Sequence, residues 1–178
     1  MTHARDSKTW WREIRDDAPR FARWLLDQLR GERTASERIL ALRDEHATSN
    51  PRAFRLLTVI AAQERDHASW VEGLLRARGI DPATPDTQER YWPHTIKMID
   101  DLETGCAVGA HAEAMRLERI EAIVEDDSAP EDVRAVFAKI LPQERFHERA
   151  FRSLATEDAL EKTRDAHELG RLALGLHP

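Results

Sequence analysis

The sequence predicts an all-α four-helix bundle, on three observations. The 178 residues include only 7 Gly and 8 Pro, which is typical of a chain built from long uninterrupted helices. Four long segments carry apolar residues at alternating steps of three and four, the spacing that places them on one face of a helix. Cap residues and prolines divide these segments into two pairs, which indicates two helical hairpins.

The first hairpin is predicted from helices over residues 19–46 and 51–79. Pro19 suits the first turn of a helix, where its missing N–H costs nothing. Ser49 or Asn50 is the expected N-cap of the second helix, because a proline follows at the first helical position. The connection between the two helices is so short that they must pack antiparallel.

The second hairpin follows a long proline-containing connection, predicted over residues 80–103 with a short helical stretch after Tyr91. Further helices are predicted over residues 104–126, 130–155 and 157–176, with a short leading helix over 9–16. Two antiparallel hairpins joined by one long crossover have ferritin-like connectivity. We therefore expect residues 1–178 to form a single ferritin-like domain with a core bundle at 19–156 and an added C-terminal helix.

Charge and composition exclude several function classes. The net charge of -6 argues against a nucleic-acid partner, which requires a basic face. No apolar run approaches the roughly 20 residues of a membrane span, and the polar, acid-containing N-terminus is unlike a secretory signal. Cys106 is the single cysteine, so this sequence cannot supply a disulfide, a zinc ribbon or an iron–sulfur centre by itself. A cytoplasmic location is the default expectation.

A duplicated motif interrupts the apolar face of the second and the fourth predicted helix. The sequence Gln-Glu-Arg-Asp-His at 63–67 matches Gln-Glu-Arg-Phe-His at 143–147. Among the 8 histidines, only those of these two motifs have a glutamate three residues before them. Residues three apart are neighbours on one helix face, so each motif presents one carboxylate and one imidazole to the core.

The first and third helices each place one carboxylate in the middle of their apolar face, Glu32 and Glu113. Residues equidistant from a hairpin turn lie at the same height in the two helices. Glu32 and Glu64 are equidistant from the first predicted turn, and Glu113 and Glu144 are equidistant from the second. Four carboxylates and two imidazoles are therefore predicted to meet in one layer of the bundle.

Metal ions explain this layer better than a metal-free core does. An ionised carboxylate in a protein interior costs several kcal/mol, and four at one level also repel one another. Arg65 and Arg145 point away from the apolar face, whereas two divalent cations would cancel four negative charges. Oxygen and nitrogen ligands favour Fe or Mn over thiolate-seeking metals. The alternative, a hydrogen-bonded core histidine with a glutamate paired to arginine, must account for the duplication and the matched heights.

With these residues in place, the chain resembles the rubrerythrin-type di-iron domain of the ferritin-like di-iron carboxylate superfamily, over residues 19–156. The segment Gly-Glu-Arg-Thr-Ala at 31–35 resembles the family's first-helix segment. The resemblance implies two iron ions, with Mn or mixed Fe/Mn as alternatives, and Glu64 and Glu144 as bridging ligands. The full ligand set it implies is Glu32, Glu64, His67, Glu113, Glu144 and His147.

Two departures from the family pattern bear on the reaction. The rubredoxin-like module, which needs four cysteines, is not in this sequence. Arg116 stands where rubrerythrins carry a second glutamate of the third helix, which weakens the peroxidase assignment. The expected function is a di-iron oxidoreductase that reacts with peroxide or O2 and takes electrons from an external donor.

Three alternatives remain open at this stage. An oxygenase acting on an organic substrate would need an apolar pocket at the metals, beside small residues such as Ala110 and Ala114. An iron storage protein would form a 24-subunit cage, whereas we expect a homodimer. A metal-free interaction module could retain the scaffold alone.

Several further residues receive structural interpretations. Asp66 or Asp100 is expected to accept a hydrogen bond from a ligand imidazole. His94 and His111 are expected at the surface, and Pro142 introduces either a bulge beside the site or a harmless kink. The five tryptophans (Trp10, Trp11, Trp24, Trp70 and Trp92) are expected to pack the core, the N-terminal segment and a subunit contact.

Overall fold

The computed structural model describes residues 6–83 and 89–176, and within these ranges the chain is helical with no β-strand. It forms seven α-helices: α1 Ser7–Arg15, α2 Ala18–His46, α3 Pro51–Ala77, α4 Trp92–Thr95, α5 Leu102–Val124, α6 Glu131–Leu154 and α7 Glu157–Ala173. A single 3-10 turn, Ile96–Met98, follows α4. In the described part of the chain, none of the helices is long and apolar enough to cross a membrane.

Side-chain caps set the helix starts. Asp17 accepts from the backbone N–H of Arg20, so α2 begins one residue before Pro19. Asn50, one of the two expected N-caps, caps α3. The predicted start of the third helix was two residues late, because Asp101 and Thr104 form a reciprocal capping box that extends α5 back to Leu102.

The two predicted hairpins are confirmed. Helix α2 packs along α3, and α5 packs along α6, in the two most extensive helix contacts of the molecule. Helices α3 and α6 join the hairpins, and α7 lies along α5 and contacts α4. The fold is therefore an all-α ferritin-like bundle with an added C-terminal helix. Helix α6 continues through Pro142, whose side chain is exposed.

Two apolar clusters fill the bundle, one on each side of the predicted polar layer. The first contains Leu25, Leu29, Leu75, Phe137 and Ile140, together with tryptophans of α1 and α2. The second contains Leu57, Ile60, Cys106, Ala110 and Phe151. The residues of the duplicated motif fall between these clusters in both α3 and α6, so the polar layer lies in the middle of a dry core.

Helix α1 closes one end of the bundle through aromatic contacts. Trp11 is almost completely buried and lies 5.1 Å from the ring of Trp24, which stacks on Phe137. The Trp11 indole N–H donates to Asp126 at 2.8 Å, and Arg15 pairs with the same carboxylate. These contacts confirm the packing role expected of the N-terminal tryptophans.

Candidate metal centre

The structure brings all six predicted residues into one buried layer, with one or two contributed by each of the four bundle helices. Glu32 comes from α2, Glu64 and His67 from α3, Glu113 from α5, and Glu144 and His147 from α6. Glu113 is 8% exposed and each of the other five is at most 1% exposed. The height matching predicted from the hairpin turns is therefore confirmed.

The six residues form two overlapping groups with metal-ligand spacing. Glu32, Glu64, His67 and Glu144 offer ligand atoms that all lie within 4.8 Å of one another. Glu64, Glu113, Glu144 and His147 form a second group of the same kind. Glu64 and Glu144 belong to both groups, which is the arrangement required of carboxylates that lie between two ions.

Both imidazoles turn Nδ1 toward the carboxylates. His147 Nδ1 lies 3.1 Å from a Glu64 oxygen and 3.3 Å from a Glu144 oxygen. His67 Nδ1 lies 3.4 Å from the other Glu144 oxygen and 3.6 Å from Glu32 Oε2. The two rings are 5.6 Å apart. His67 thus lies next to Glu32 and Glu144, and His147 lies next to Glu64 and Glu144.

Gln63 and Gln143 are hydrogen-bonded to the ring nitrogens of the two histidines that face away from the carboxylates. His67 Nε2 lies 2.9 Å from Gln143 Oε1, and His147 Nε2 lies 2.8 Å from Gln63 Oε1. Because the amide oxygen only accepts, each Nε2 carries a proton and donates it to the glutamine, so Nδ1 is the ring nitrogen that faces the carboxylates. Each glutamine belongs to the motif of the opposite hairpin, so the two motifs brace each other.

The expected partners of the imidazoles were wrong. Asp66 is exposed, and Asp100 pairs with Lys162 at 2.7 Å on the surface. The duplicated motif itself contained the missed signal, since glutamine precedes glutamate in both copies. A polar residue repeated together with the ligands is a candidate for the residue that orients them.

Arg116 reaches into the layer, which the sequence analysis did not anticipate. Its guanidinium forms an ion pair with Glu32 and a second, 2.7 Å from Glu144. Arg65 and Arg145 remain exposed, as expected, and Arg145 pairs with Glu121. One arginine compensates one of the four carboxylate charges, so the layer keeps an excess of negative groups.

The electrostatics of the layer reflect this crowding. Burial, together with the charges of Glu144 and Glu64, raises the pKa of Glu113 well above its usual range. Burial also acts to raise the pKa of Glu144, but Arg116 and the two imidazoles outweigh it and lower that pKa. Burial opposes the charged form of His67, yet the surrounding carboxylates raise its pKa to about 11. Arg116 and the two imidazoles are thus the positive groups that favour the ionised form of Glu144 in this layer.

Unsatisfied ligand atoms provide a direct test of whether metal ions fit. Buried atoms without a hydrogen-bond partner include Glu32 Oε2, Glu64 Oε2, both Glu144 oxygens, and Nδ1 of His67 and of His147. Native proteins rarely leave such atoms unpaired unless an ion or ligand belongs there. All of these atoms belong to the two groups with ligand spacing, so the residues fit a pair of divalent cations.

A cavity of about 670 Å³ opens onto the centre. Its wall includes Glu64 and Glu113 at the inner end and the aromatic side chains Trp10, Trp24, Trp92, Phe137 and Phe151 along its length. The small residues of its wall include Gly31, Ala35, Gly109 and Ala112 but not the expected Ala110 and Ala114, and Ala110 is buried in the second apolar cluster. A separate cavity of about 400 Å³ on the outside of α3 and α6 touches none of the six residues.

His111 lies apart from the centre, as its position relative to Glu113 indicated, but it is only partly exposed. It donates from Nε2 to the Leu160 carbonyl at 3.1 Å and stacks on His167 at 4.8 Å. His167 in turn is hydrogen-bonded to the hydroxyl of Tyr91 at 2.8 Å. The expectation of a surface residue was therefore wrong for His111, which helps to fasten α7 to α5 and the crossover.

Comparison with known families agrees with this geometry. The rubrerythrin family model matches residues 24–155, a span that contains all six residues of the layer. The chain belongs to the rubrerythrin family. No significant match to a curated protein or to a solved structure was found. The rubrerythrin-type domain and its buried Glu/His cluster together indicate a di-metal site, on a span slightly shorter than the predicted 19–156.

Proposed function

We propose that this rubrerythrin-family chain is a di-iron oxidoreductase that cleaves the O–O bond of peroxide or O2. The observation that carries the proposal is the buried layer of ligand atoms in which Glu64 and Glu144 belong to both four-residue groups. Glu32 and His67 would complete the site of one ion, and Glu113 and His147 that of the other. Oxygen and imidazole ligands of this number suit Fe, with Mn as the alternative.

The protein fixes the geometry and excludes water. Gln63 and Gln143 set the ring orientation of the two histidines. The apolar clusters above and below the layer keep the carboxylates dry, so they interact strongly with any cation between them. When bound, two Fe(II) ions would supply the two electrons that cleave the O–O bond of peroxide, whereas full reduction of O2 would take two more from the external donor. An external donor is then required to restore them.

A second reaction, oxygenation of an organic substrate, is favoured by the cavity at the centre. A volume of about 670 Å³ is within the range of small-molecule binding sites and far exceeds the space that peroxide needs. Arg116 points the same way, because it occupies the position of the second glutamate expected of a peroxide-reducing rubrerythrin. Peroxide reduction remains the first proposal because the chain belongs to the rubrerythrin family. Oxygenation is the alternative that the cavity and Arg116 favour.

Metal content and oxidant choice test the proposal. The wild-type protein is expected to bind two Fe(II) per chain anaerobically, and Glu144→Ala or His147→Ala is expected to lose one ion or both. Arg164→Met, a surface change on α7, serves as the control. Full metal content in either site variant would refute the ligand assignment.

The reaction is then followed by rapid mixing of the loaded protein with H2O2 or with O2. Fast oxidation by peroxide and slow oxidation by O2 supports the peroxide reductase, and the reverse order supports the oxygenase. Lack of reaction with both would refute the oxidoreductase. Size-exclusion chromatography separates storage from catalysis, because we expect a homodimer and a 24-subunit particle would favour iron storage.

A further inference from the structure

The cavity beside the centre combines apolar walls with an excess of arginine. Its wall carries Arg38, Arg90, Arg116 and Arg119 in addition to the aromatic side chains. The acids of the same wall outside the centre already have partners, since Glu89 pairs with Arg38 at 2.7 Å and Asp27 lies 3.5 Å from Arg30. Positive charge is therefore left over on this wall.

Arg119 is the partly buried arginine of this wall that has no ion pair among the described residues, whereas Arg90, which also lacks one there, is exposed. The Nε atom of Arg119 is buried and has no hydrogen-bond partner. Among the described residues Arg119 makes no hydrogen bond or ion pair, and its guanidinium lies over the ring of Trp10, 5.0 Å from the ring centroid. Its sequence neighbour Glu118 is exposed and pairs with Arg171 instead.

The position of Arg119 relates it to the centre. Arg116 and Arg119 lie three residues apart on α5, on one face of the helix, and Arg116 contacts Glu32 and Glu144. An anion bound to Arg119 would therefore lie about one helical turn from the ligand layer. The rest of such a ligand would extend from Arg119 to the layer of the six predicted ligands.

A largely buried guanidinium without a counter-ion is unfavourable, because no opposite charge compensates for its lost hydration. Burial and the charges of Arg171, Arg116 and Arg90 lower the pKa of Arg119 to about 10. Glu118 opposes this shift but does not cancel it, so the net charge around Arg119 is positive. A ligand that supplies an anionic group would remove the deficit.

We propose that the cavity binds an organic acid, with its carboxylate on Arg119 and its apolar body along the aromatic wall toward Glu113 and Arg116. A guanidinium matches a carboxylate in planar, two-bond geometry, and aromatic walls require an apolar body rather than an inorganic ion. The inference deepens the oxygenase alternative of the proposed function and rests on it only for the ligand's role as substrate. Binding itself requires no metal.

The test uses 4-phenylbutyrate as the probe acid, its neutral amide as the isostere and inorganic phosphate as the anion without an apolar body. Binding is measured by calorimetry and by tryptophan fluorescence, with Trp10 beside Arg119 as an internal reporter. Wild-type protein is expected to bind the acid at least tenfold more tightly than the amide or phosphate. Equal binding of acid and amide, or of acid and phosphate, would overturn the proposal.

Arg119→Met keeps the length of the side chain and removes its charge. It is expected to weaken acid binding by about tenfold or more without changing amide binding, whereas Arg119→Lys keeps the charge but not the planar geometry and should retain part of the preference for the acid over the amide. Arg164→Met removes a surface charge and is the matched control. If Arg119→Met binds the acid as the wild type does, the assignment is wrong. If it fails to fold, the acid-to-amide ratio of wild type and of Arg119→Lys decides.

Measuring metal-free and anaerobic Fe(II)-loaded protein side by side separates this inference from the proposed function. A chain that binds no iron but selects the acid through Arg119 would refute the di-iron oxidoreductase and uphold the organic-acid site. A wild-type chain that binds two Fe(II), reacts with peroxide and ignores the acid would do the reverse.

Discussion

The orientation of the two histidines depends on residues that carry no charge. Gln63 and Gln143 each accept the Nε2 proton of a histidine in the opposite hairpin, which directs both Nδ1 atoms at the centre. A glutamine suits this position because its amide oxygen accepts without adding a fifth negative charge. The orientation of both rings is therefore set by neutral side chains.

Replacing Gln143 with leucine is expected to lower the affinity for the ion that Glu32 and His67 would hold by about 10- to 100-fold, because the His67 ring loses its fixed orientation. The measurement is a competitive titration against a chelator of known affinity. Asp66→Asn, an exposed change within the other motif, is the control and should bind metal like the wild type. Unchanged affinity in Gln143→Leu would show that the glutamine does not orient the ring.

His167 is expected to make stability depend on pH. Burial, the charge of His111 and the charge of Arg171 lower the pKa of His167 from 6.5 to about 4. Between these values the unfolded chain binds a proton that the folded chain does not, so stability is lost as pH falls through this window. The loss attributable to His167 is about 2 kcal/mol.

The pH effect is measured as the difference in unfolding free energy between wild type and His167→Gln at pH 7 and pH 4.5. Glutamine keeps a hydrogen-bonding group for the Tyr91 hydroxyl but does not titrate. The wild type should lose more stability on acidification than the variant. Parallel pH profiles would contradict a neutral, buried His167.

At the residue level, periodicity predicted the carboxylates and imidazoles of the layer but missed Arg116. Arg116 is three residues after Glu113, so the same spacing rule that links Glu64 to His67 places it on the inward face. Sequence alone does not fix it there, because a long arginine side chain can equally extend to solvent. The contact of its guanidinium with Glu32 depends on the packing of three helices.

At the level of elements, α7 is held against α5 and the crossover by close packing at Gly170. A Cβ atom at this position would lie 2.5 and 2.8 Å from two ring atoms of Tyr91, whose side chain is buried. The nearby Tyr91 hydroxyl is hydrogen-bonded to His167, so the ring has little freedom to move. The absence of a side chain at Gly170 is thus required by the neighbouring element.

Gly170→Ala is expected to destabilise the protein by about 1–3 kcal/mol, as overpacking of a filled site does. Gly73→Ala is the matched control, since Gly73 lies exposed inside α3 with open space around it. That substitution should stabilise by about 0.5–1 kcal/mol, because alanine favours a helix over glycine. Chemical unfolding of both variants gives the comparison, and a harmless Gly170→Ala would contradict the close packing.

The course of the crossover shows where sequence reasoning on elements ends. Asn50 and Asp17 announce helix starts because a cap acts within one turn of the chain. No local signal places Tyr91 against α7, since that contact joins residues 76 apart in sequence. The short helical stretch expected after Tyr91 is present as α4, but its contact with α7 depends on tertiary packing.

At the level of the whole molecule, the polar layer weakens a core that is otherwise well packed. Leu25, Leu57 and Phe137 above and below it are fully buried, whereas the layer between them contains unpaired polar atoms. Such a core is less stable than an apolar one of the same volume. This conflict is visible in the sequence, where glutamate and histidine interrupt the apolar faces of the helices. A bound pair of cations would remove it.

Glu113→Gln is expected to separate two effects of the layer, its effect on the stability of the metal-free protein and its effect on metal binding. Burial and neighbouring carboxylates raise the pKa of Glu113, which means that a neutral group is favoured at this position, so its replacement by an amide is expected to cost the metal-free protein about 1 kcal/mol or less. Metal binding stabilises only the folded state, and its effect grows with affinity. Glutamine cannot replace the carboxylate charge, so Fe(II) or Mn(II) should raise the melting temperature of the variant less than that of the wild type. Thermal unfolding of both proteins with and without metal measures the difference, and equal stabilisation by metal would remove Glu113 from the ligand set.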